Sequence, residues 1–350
     1  MNYKKHISKP LLAWYDTHAR DLPWRISPSK SITGVKQEPY KVWLSEIMLQ
    51  QTTVKAVIPY YQKFTSKWKN IEQLAKAQEN EIMEAWAGLG YYSRARNLIK
   101  CSRLIIEKHD STFPKCSKLL LKLPGVGPYT AAAIQSIAFG KKAVVLDGNI
   151  ERVIVRLYAI MEPIKYSKKE LRNIAETLTP STRCGDYAQS LMDLGATICT
   201  PKQPNCDICP ITSYCNSFEK KIASELPRKV TRGRKVRRYG FAFVVTTKDH
   251  RIILERRPKR GLLGGMLSFP CSDWTKHQFP KFAPPFNSSW TIHTKIVTHQ
   301  FSHFELSLQV ATCNISNTPK GFLTDTISSF NSSSLPSLMR KVYAVASNQI

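Results

Sequence analysis

The stretch Cys199-Thr-Pro-Lys-Gln-Pro-Asn-Cys-Asp-Ile-Cys-Pro-Ile-Thr-Ser-Tyr-Cys215 carries four cysteines spaced C-x6-C-x2-C-x5-C. Four soft thiolates so close together predict one shared metal centre. A zinc ribbon uses two C-x2-C pairs, and this stretch has one. The uneven spacing therefore fits an iron-sulfur cube as well as it fits zinc. The predicted ligands are Cys199, Cys206, Cys209 and Cys215.

Composition narrows the class of protein. The chain has 350 residues, 42% of them hydrophobic and 22% charged, which predicts a globular protein of two domains. Lys and Arg number 52 against 25 Asp and Glu, giving a net charge of +27. A protein so basic needs a polyanionic partner, and nucleic acid is the first candidate. The N-terminus lacks the apolar run of a signal peptide and no membrane-spanning run follows, so we expect a cytoplasmic, nucleoid-associated protein.

Hydrophobic periodicity divides the chain into a helical part and a sheet-forming part. Apolar residues recur at helical spacing over residues 1–220, which predicts an all-α domain. Residues 221–238 are rich in cations and are interpreted as a basic linker, which either lies along a phosphate backbone or is a solvated tether. Residues 239–350 contain short runs of β-branched and aromatic residues, which predict an α+β domain with a mixed or antiparallel sheet.

A glycine-rich turn lies at residues 123–129, Leu-Pro-Gly-Val-Gly-Pro-Tyr, before a run of small residues. Gly125 and Gly127 allow a sharp turn and a close approach of the backbone to a ligand. Exposed N–H groups at the start of the following helix can then hold a phosphate. The pattern is typical of a helix-hairpin-helix, although such a turn alone also occurs between ordinary packed helices.

These motifs, together with Val145-Leu-Asp-Gly-Asn149, resemble the endonuclease III superfamily of base-excision DNA glycosylases. In its bifunctional members a lysine two residues after the second glycine attacks the sugar, and Tyr129 occupies that position here. The chain therefore resembles the monofunctional adenine DNA glycosylase branch. The resemblance implies a helix-hairpin-helix core with one 4Fe-4S cluster and a Nudix-like C-terminal domain. Further matching segments are Leu22–Arg25, Val42–Thr52, Gly88–Arg94 and Arg260–Pro270.

Glu46 is the candidate general acid. At about 100° per residue, apolar side chains cover one face of the helix around it and flank the carboxyl on the other. Burial disfavours the ionised form, so the pKa of Glu46 should rise and leave a proton to donate near neutral pH. A buried glutamate satisfied by a neighbouring hydroxyl is the structural alternative. By resemblance, Glu46 protonates the adenine ring.

Asp147 is the second candidate. An aspartate before Gly148-Asn149 and an apolar run is an ordinary helix N-cap. The resemblance implies that this carboxylate also stabilises an oxocarbenium-like sugar, and two carboxylates with different tasks follow the logic of glycoside hydrolysis. Tyr129 and Asn149 would complete the site as hydrogen-bonding partners.

The remaining candidates rest on the resemblance. Stacking hides the glycosidic bond in duplex DNA, so the adenine must be flipped out into a pocket. The resemblance assigns that pocket to Arg20, Leu22, Trp24 and Gln189. It assigns DNA contacts to Gln51, Tyr91, Gly125, Gly127 and Lys202, the last presented by a loop between two cluster cysteines.

The C-terminal domain should recognise the base opposite adenine. Residues 239–350 contain only five widely separated carboxylates, too few for the Glu-rich helix that holds Mg²⁺ in a Nudix hydrolase. By resemblance, a loop of Phe301, Ser302 and His303 recognises 8-oxoguanine.

The predicted function is excision of adenine opposite 8-oxoguanine or guanine, leaving an abasic site, by a monomer that acts on duplex DNA. Replication or mismatch-repair proteins are possible partners. A bifunctional glycosylase/lyase, a non-catalytic iron-sulfur DNA-binding protein and a zinc-binding RNA protein are the alternatives. Residues 26–38 form a longer connection than the family pattern and are expected to be a loop near the pocket entrance.

Overall fold

The computed structural model describes residues 6–230, 235–258, 261–301 and 303–347. The chain divides into two compact units, Met1–Ala85 with Ser93–Thr231, and Trp86–Tyr92 with Arg232–Ile350. The described residues of the first unit are helical, and the second unit contains a mixed sheet with one long helix. The predicted fold class is therefore confirmed. No helix in the described ranges is both long and apolar enough to cross a bilayer.

Helices account for the secondary structure before the sheet. They run as follows: α1 Ser8–His18, α2 Pro28–Ile32, α3 Pro39–Leu49, α4 Val54–Lys67, α5 Ile71–Lys76, α6 Glu79–Trp86, α7 Ser93–His109, α8 Ser117–Leu120, α9 Pro128–Ala133, α10 Gly148–Tyr158, α11 Ile164–Leu178, α12 Cys184–Thr197 and α13 Asn216–Glu219. A π-helical turn, Ile134–Ala138, continues α9.

Helices α10 and α12 form the centre of the first unit. Nearly all of α10 is buried, and its apolar residues share one core with those of α12. Gly195 lets the two helices approach, because a Cβ at this position would lie 2.7 Å from the Asn149 Cβ. The contact places the N-terminal end of α10, with Asp147 and Asn149, directly against α12.

Residues 26–38 are not simply a loop, because they contain α2. The Ser31 hydroxyl donates a 2.8 Å hydrogen bond to the Asp186 carboxylate near the start of α12. Asp186 also accepts from the Arg183 guanidinium at 2.8 Å. The connection is thus tied to α12, and none of its residues lines the cavity described below.

The second unit is a mixed sheet in the order β3-β2-β1-β6-β5, with β4 paired to β1 and β7 to β2. Strands β1 and β6 are parallel over twelve paired residues, and the other named pairs are antiparallel. The elements are β1 Val236–Thr247, β2 Arg251–Arg256, β3 Leu267–Ser268, β4 Thr275–Lys276, β5 Thr291–Gln300, β6 Phe304–Ile315, β7 Leu323–Thr326 and α14 Ser337–Ala346.

Strand β1 is buried on both faces, because alternate side chains point to opposite sides of a sheet. Ala242 and Val244 join the core that includes α14. Phe241 and Phe243 join an aromatic cluster on the other face.

The predicted linker 221–238 overlaps the start of β1 at Val236. The cations at its end do not prevent strand formation, because Arg237 pairs with Glu305 at 3.4 Å and Arg238 lies over the Phe304 ring at 4.7 Å. The sheet unit therefore begins before residue 239. Residues 231–234 of the predicted linker lie outside the described residues.

Candidate active site

A cavity of about 390 Å³ in the first unit contains the predicted catalytic and pocket residues. It brings together segments far apart in sequence, from the end of α1 to α12. Its lining comprises Arg20, Leu22, Trp24, Arg25, Val42, Ser45, Glu46, Leu49, Gln50, Gln51, Thr52, Val54, Tyr129, Ile137, Asp147, Gly148, Asn149, Gln189 and Met192.

Glu46 lies on α3 and is 6% exposed. Burial is the largest influence on its carboxyl and raises its pKa from 4.5 to about 7. The charge of Asp147 raises this pKa further, whereas a hydrogen bond from Tyr129 and the charge of Arg25 lower it. The second carboxyl oxygen has no hydrogen-bond partner among the described residues. Glu46 can therefore hold a proton near neutral pH and has one oxygen available to a ligand.

Tyr129 is held beside Glu46 by the hairpin that precedes α9. Burial and the neighbouring Glu46 and Asp147 charges raise the pKa of Tyr129 well above 10. The phenol therefore keeps its proton and serves as a hydrogen-bond donor, which a nucleophilic amine would not do in this position.

Asp147 is the N-cap of α10, as its sequence context predicts. Its Oδ1 accepts from the Ile150 backbone N–H at 2.7 Å. Its Oδ2 accepts from the Asn149 amide at 2.9 Å. The cap fixes the carboxylate at the cavity wall, so the structural role and a catalytic role are compatible.

A hydrogen-bonded chain connects this wall to the cysteine loop. The Arg152 guanidinium donates to Asn149 Oδ1 at 2.9 Å and to the Cys199 carbonyl at 2.8 Å. It also donates to the Gly195 carbonyl at 2.6 Å. Asp147, Asn149 and Arg152 therefore share one network with the backbone of the first predicted cluster ligand.

The four residues predicted for the adenine pocket all line the cavity. Leu22, Trp24 and Gln189 are buried, and the Trp24 ring meets the Tyr61 ring edge to face at 5.3 Å between centroids. Apolar surface with an amide and a guanidinium is suited to a flat heterocyclic base.

Sequence reasoning missed Arg25 and Asp193 as site residues. Arg25 lines the cavity, and its Nη1 donates to the buried Asp193 carboxylate at 2.7 Å. Arg20 Nε donates to the other Asp193 oxygen at 2.7 Å. Two signals were present in the sequence: Arg25 ends the segment Leu22–Arg25, and Asp193 lies one helical turn after Gln189.

The predicted DNA-contact residues have different locations. Gln51 lines the cavity and has a φ of +57°, a conformation that is uncommon for a residue with a side chain. Gly125 has a φ of +79°, and Gly127 is the N-cap of α9. Lys202 is exposed in the cysteine loop. Tyr91 is 51% exposed with a φ of +49°, and it belongs to the second unit.

The four predicted ligand cysteines line one cavity beneath α10. Arg156 fastens this loop by donating to the Thr200 carbonyl at 2.7 Å and to the Cys199 sulfur at 3.3 Å. Among the described residues, no three His, Cys, Asp or Glu side chains are arranged to hold a single metal ion. Thiolates that surround one cube stand further apart than those that surround one zinc ion, so the donor set fits an iron-sulfur cluster.

The predicted 8-oxoguanine loop lies between β5 and β6. The Phe301 ring stacks on Phe304 at 4.8 Å and contacts His299 at 4.7 Å between centroids. His303 is exposed, and Ser302 lies outside the described residues.

Family models match three segments of the chain. Residues 44–181 match the HhH-GPD superfamily of base excision DNA repair proteins. Residues 199–215 match the iron-sulfur binding domain of endonuclease III, and residues 241–345 match the NUDIX domain. Human adenine DNA glycosylase is 33% identical over 97% of this chain and 73% of its own. The chain belongs to the adenine DNA glycosylase family.

A second family member, from Buchnera aphidicola subsp. Baizongia pistaciae (strain Bp), is 38% identical over 74% of this chain and 72% of its own. Among solved structures, a thermostable thymine-DNA glycosylase is 36% identical with a TM-score of 0.55, covering 63% of this chain and 98% of its own. An endonuclease III in a non-covalent DNA complex is 24% identical, with a TM-score of 0.51 over 63% of this chain and 99% of its own, and shares the fold.

Family membership defines the enzyme class and the cofactor. The protein is a DNA glycosylase of base excision repair, a hydrolase of N-glycosyl bonds. The four cysteines hold one 4Fe-4S cluster, whose bound form supplies a rigid core for the loop between Cys199 and Cys206.

Proposed function

We propose that this enzyme excises adenine paired with 8-oxoguanine or guanine in duplex DNA and leaves an abasic site. The observation that carries the proposal is the buried Glu46 carboxyl, with a pKa of about 7, in one cavity with Asp147. A neutral acid and a fixed carboxylate are the two groups that cleavage of a glycosidic bond requires.

The adenine is flipped into the cavity against Leu22 and Trp24. Glu46 donates its proton to a ring nitrogen, which turns the base into a neutral leaving group. As the bond to the sugar breaks, the Asp147 carboxylate stabilises the positive charge that develops there. Water then adds its hydroxyl to the sugar carbon, and its proton returns to Glu46.

The reaction ends at the abasic site because the cavity offers no lysine among its lining residues. A lyase forms a Schiff base through an amine. Tyr129 occupies the position of that amine in the family motif, and its phenol donates to Glu46 instead.

We further propose that the second unit recognises 8-oxoguanine through Phe301, Ser302 and His303, and that the enzyme acts as a monomer on nucleoid DNA in the cytoplasm. The family assignment and the exposed His303 beside the stacked Phe301 support this reading. Replication or mismatch-repair proteins are its proposed partners.

The test is strand scission of an end-labelled duplex, with and without alkali, by the wild type and Glu46→Gln. Duplexes carry adenine opposite 8-oxoguanine, adenine opposite guanine, or thymine opposite guanine. We expect alkali-dependent cleavage at adenine that Glu46→Gln abolishes and that the exposed-site control Glu107→Gln retains. Cleavage without alkali would indicate a lyase, and cleavage only at thymine would refute adenine specificity.

Base-pair preference is tested separately with His303→Ala. The ratio of rates on the 8-oxoguanine and guanine duplexes should fall toward one. This ratio is its own control, because misfolding would slow both reactions equally. An unchanged ratio would refute recognition by His303.

A further inference from the structure

Asp193 is a buried carboxylate that lies behind the cavity wall. It is on α12, its side chain is 0% exposed, and it is not among the cavity-lining residues. It accepts three hydrogen bonds: from the Arg20 backbone N–H at 3.0 Å, from Arg20 Nε at 2.7 Å and from Arg25 Nη1 at 2.7 Å. Both arginines line the cavity. Asp193 therefore connects α12 to two cationic side chains that face the site.

We propose that Asp193 is a positioning residue for adenine excision: it fixes Arg20 and Arg25 in the cavity wall and keeps the Arg25 guanidinium paired away from Glu46. This inference rests on the proposed function, because it concerns the protonation of Glu46 as the acid. The electrostatic argument for it depends on Arg25.

Arg25 needs an anionic partner, because its side chain is only 6% exposed and a buried, unpaired guanidinium is costly. The charged or titratable groups that interact with it are Asp193, Tyr15 and Glu46. Tyr15 is protonated, since burial raises its pKa to about 12. Without the Asp193 charge, Glu46 is the one carboxylate left in this set.

Glu46 is sensitive to this exchange of partners. The groups that act on it are Tyr129, Asp147 and Arg25, and Arg25 already favours its ionised form. Releasing Arg25 from Asp193 strengthens that attraction. The pKa of Glu46 then falls, and less of the acid is protonated at neutral and alkaline pH.

The experiment is single-turnover adenine excision between pH 5.5 and 9 by the wild type, Asp193→Asn and Asp193→Glu. In Asp193→Asn we expect the alkaline limb to move down by about one pH unit, which slows excision about tenfold at pH 8 while the rate at pH 5.5 stays near the wild-type rate. Asp193→Glu keeps the charge and should retain the wild-type limb. Circular dichroism and the absorbance of the cluster confirm that each variant is folded.

Two further variants test whether Asp193 acts through Arg25. Arg25→Gln should move the limb to higher pH, and Arg25→Gln/Asp193→Asn should match it, because Asp193 has no guanidinium left to hold. The double variant replaces a buried ion pair by two neutral amides, so it keeps the test available if Asp193→Asn alone does not fold.

The outcomes separate the inference from the proposed function. A uniform loss of rate in Asp193→Asn, with the alkaline limb in place, would show a merely structural role and overturn the inference. A limb that differs between Arg25→Gln and the double variant would also overturn it. A wild type that does not excise adenine refutes the proposed function instead.

Discussion

Replacing Glu46 by glutamine should make the protein more stable at alkaline pH while it abolishes excision. The native protein raises the pKa of this carboxyl from 4.5 to about 7, chiefly by burial. The folded state therefore binds the proton more tightly than the unfolded chain does. Stability from this group is fully present below about pH 4.5 and is lost as the pH rises through 7.

The size of the effect follows from the two pKa values. Each tenfold change in proton affinity corresponds to about 1.4 kcal/mol, so a rise from 4.5 to about 7 corresponds to about 3 kcal/mol. Glutamine has nearly the same shape and no charge to desolvate. At pH 8.5 the unfolding midpoint of Glu46→Gln should exceed that of the wild type by up to about 10 °C, and at pH 5 the two should differ by far less.

The assay is thermal unfolding of cluster-loaded protein by circular dichroism at pH 5 and pH 8.5, with identical scan rates. Glu107→Gln is the matched control, because it makes the same substitution on the exposed face of α7. It should shift the midpoint little and equally at both pH values. A Glu46→Gln midpoint that differs from the wild type by the same amount at pH 5 and pH 8.5 would refute the assigned burial cost.

Three other predictions concern the supports of the site. Arg152→Gln breaks the chain from Asn149 to the cysteine loop and should slow excision about 10- to 100-fold with the cluster retained, measured by single-turnover kinetics and iron content; unchanged kinetics would contradict this role. Gly195→Ala should lower the free energy of unfolding by about 1 to 3 kcal/mol, since its Cβ would meet Asn149 at 2.7 Å, whereas Gly148→Ala, with open space, should not in urea titrations. Cys206→Ser should reduce iron content and make residues 199–215 a site of proteolysis, and full iron content with unchanged proteolysis would exclude it as a ligand.

Much of the fold was predictable because its signals are local. The cysteine spacing and the two-glycine turn depend on neighbouring residues, and the burial of Glu46 follows from the helical pattern around it. The overlap of the predicted linker with β1 shows where local reasoning fails. Its final cations read as solvated, but parallel pairing with β6 provides Glu305 and Phe304 as partners that are distant in the chain.

The sequence by itself determined the family, the cluster ligands and the acid, because each is carried by residue types at short, fixed spacing. Tertiary structure alone decided how Asp193 meets Arg20 and Arg25 across more than 160 residues, and how Arg152 joins Asn149 to the cysteine loop. Such contacts leave no periodic trace, because they depend on how closely α10 and α12 pack. The pKa of a buried acid likewise depends on which charges the folded chain brings to it.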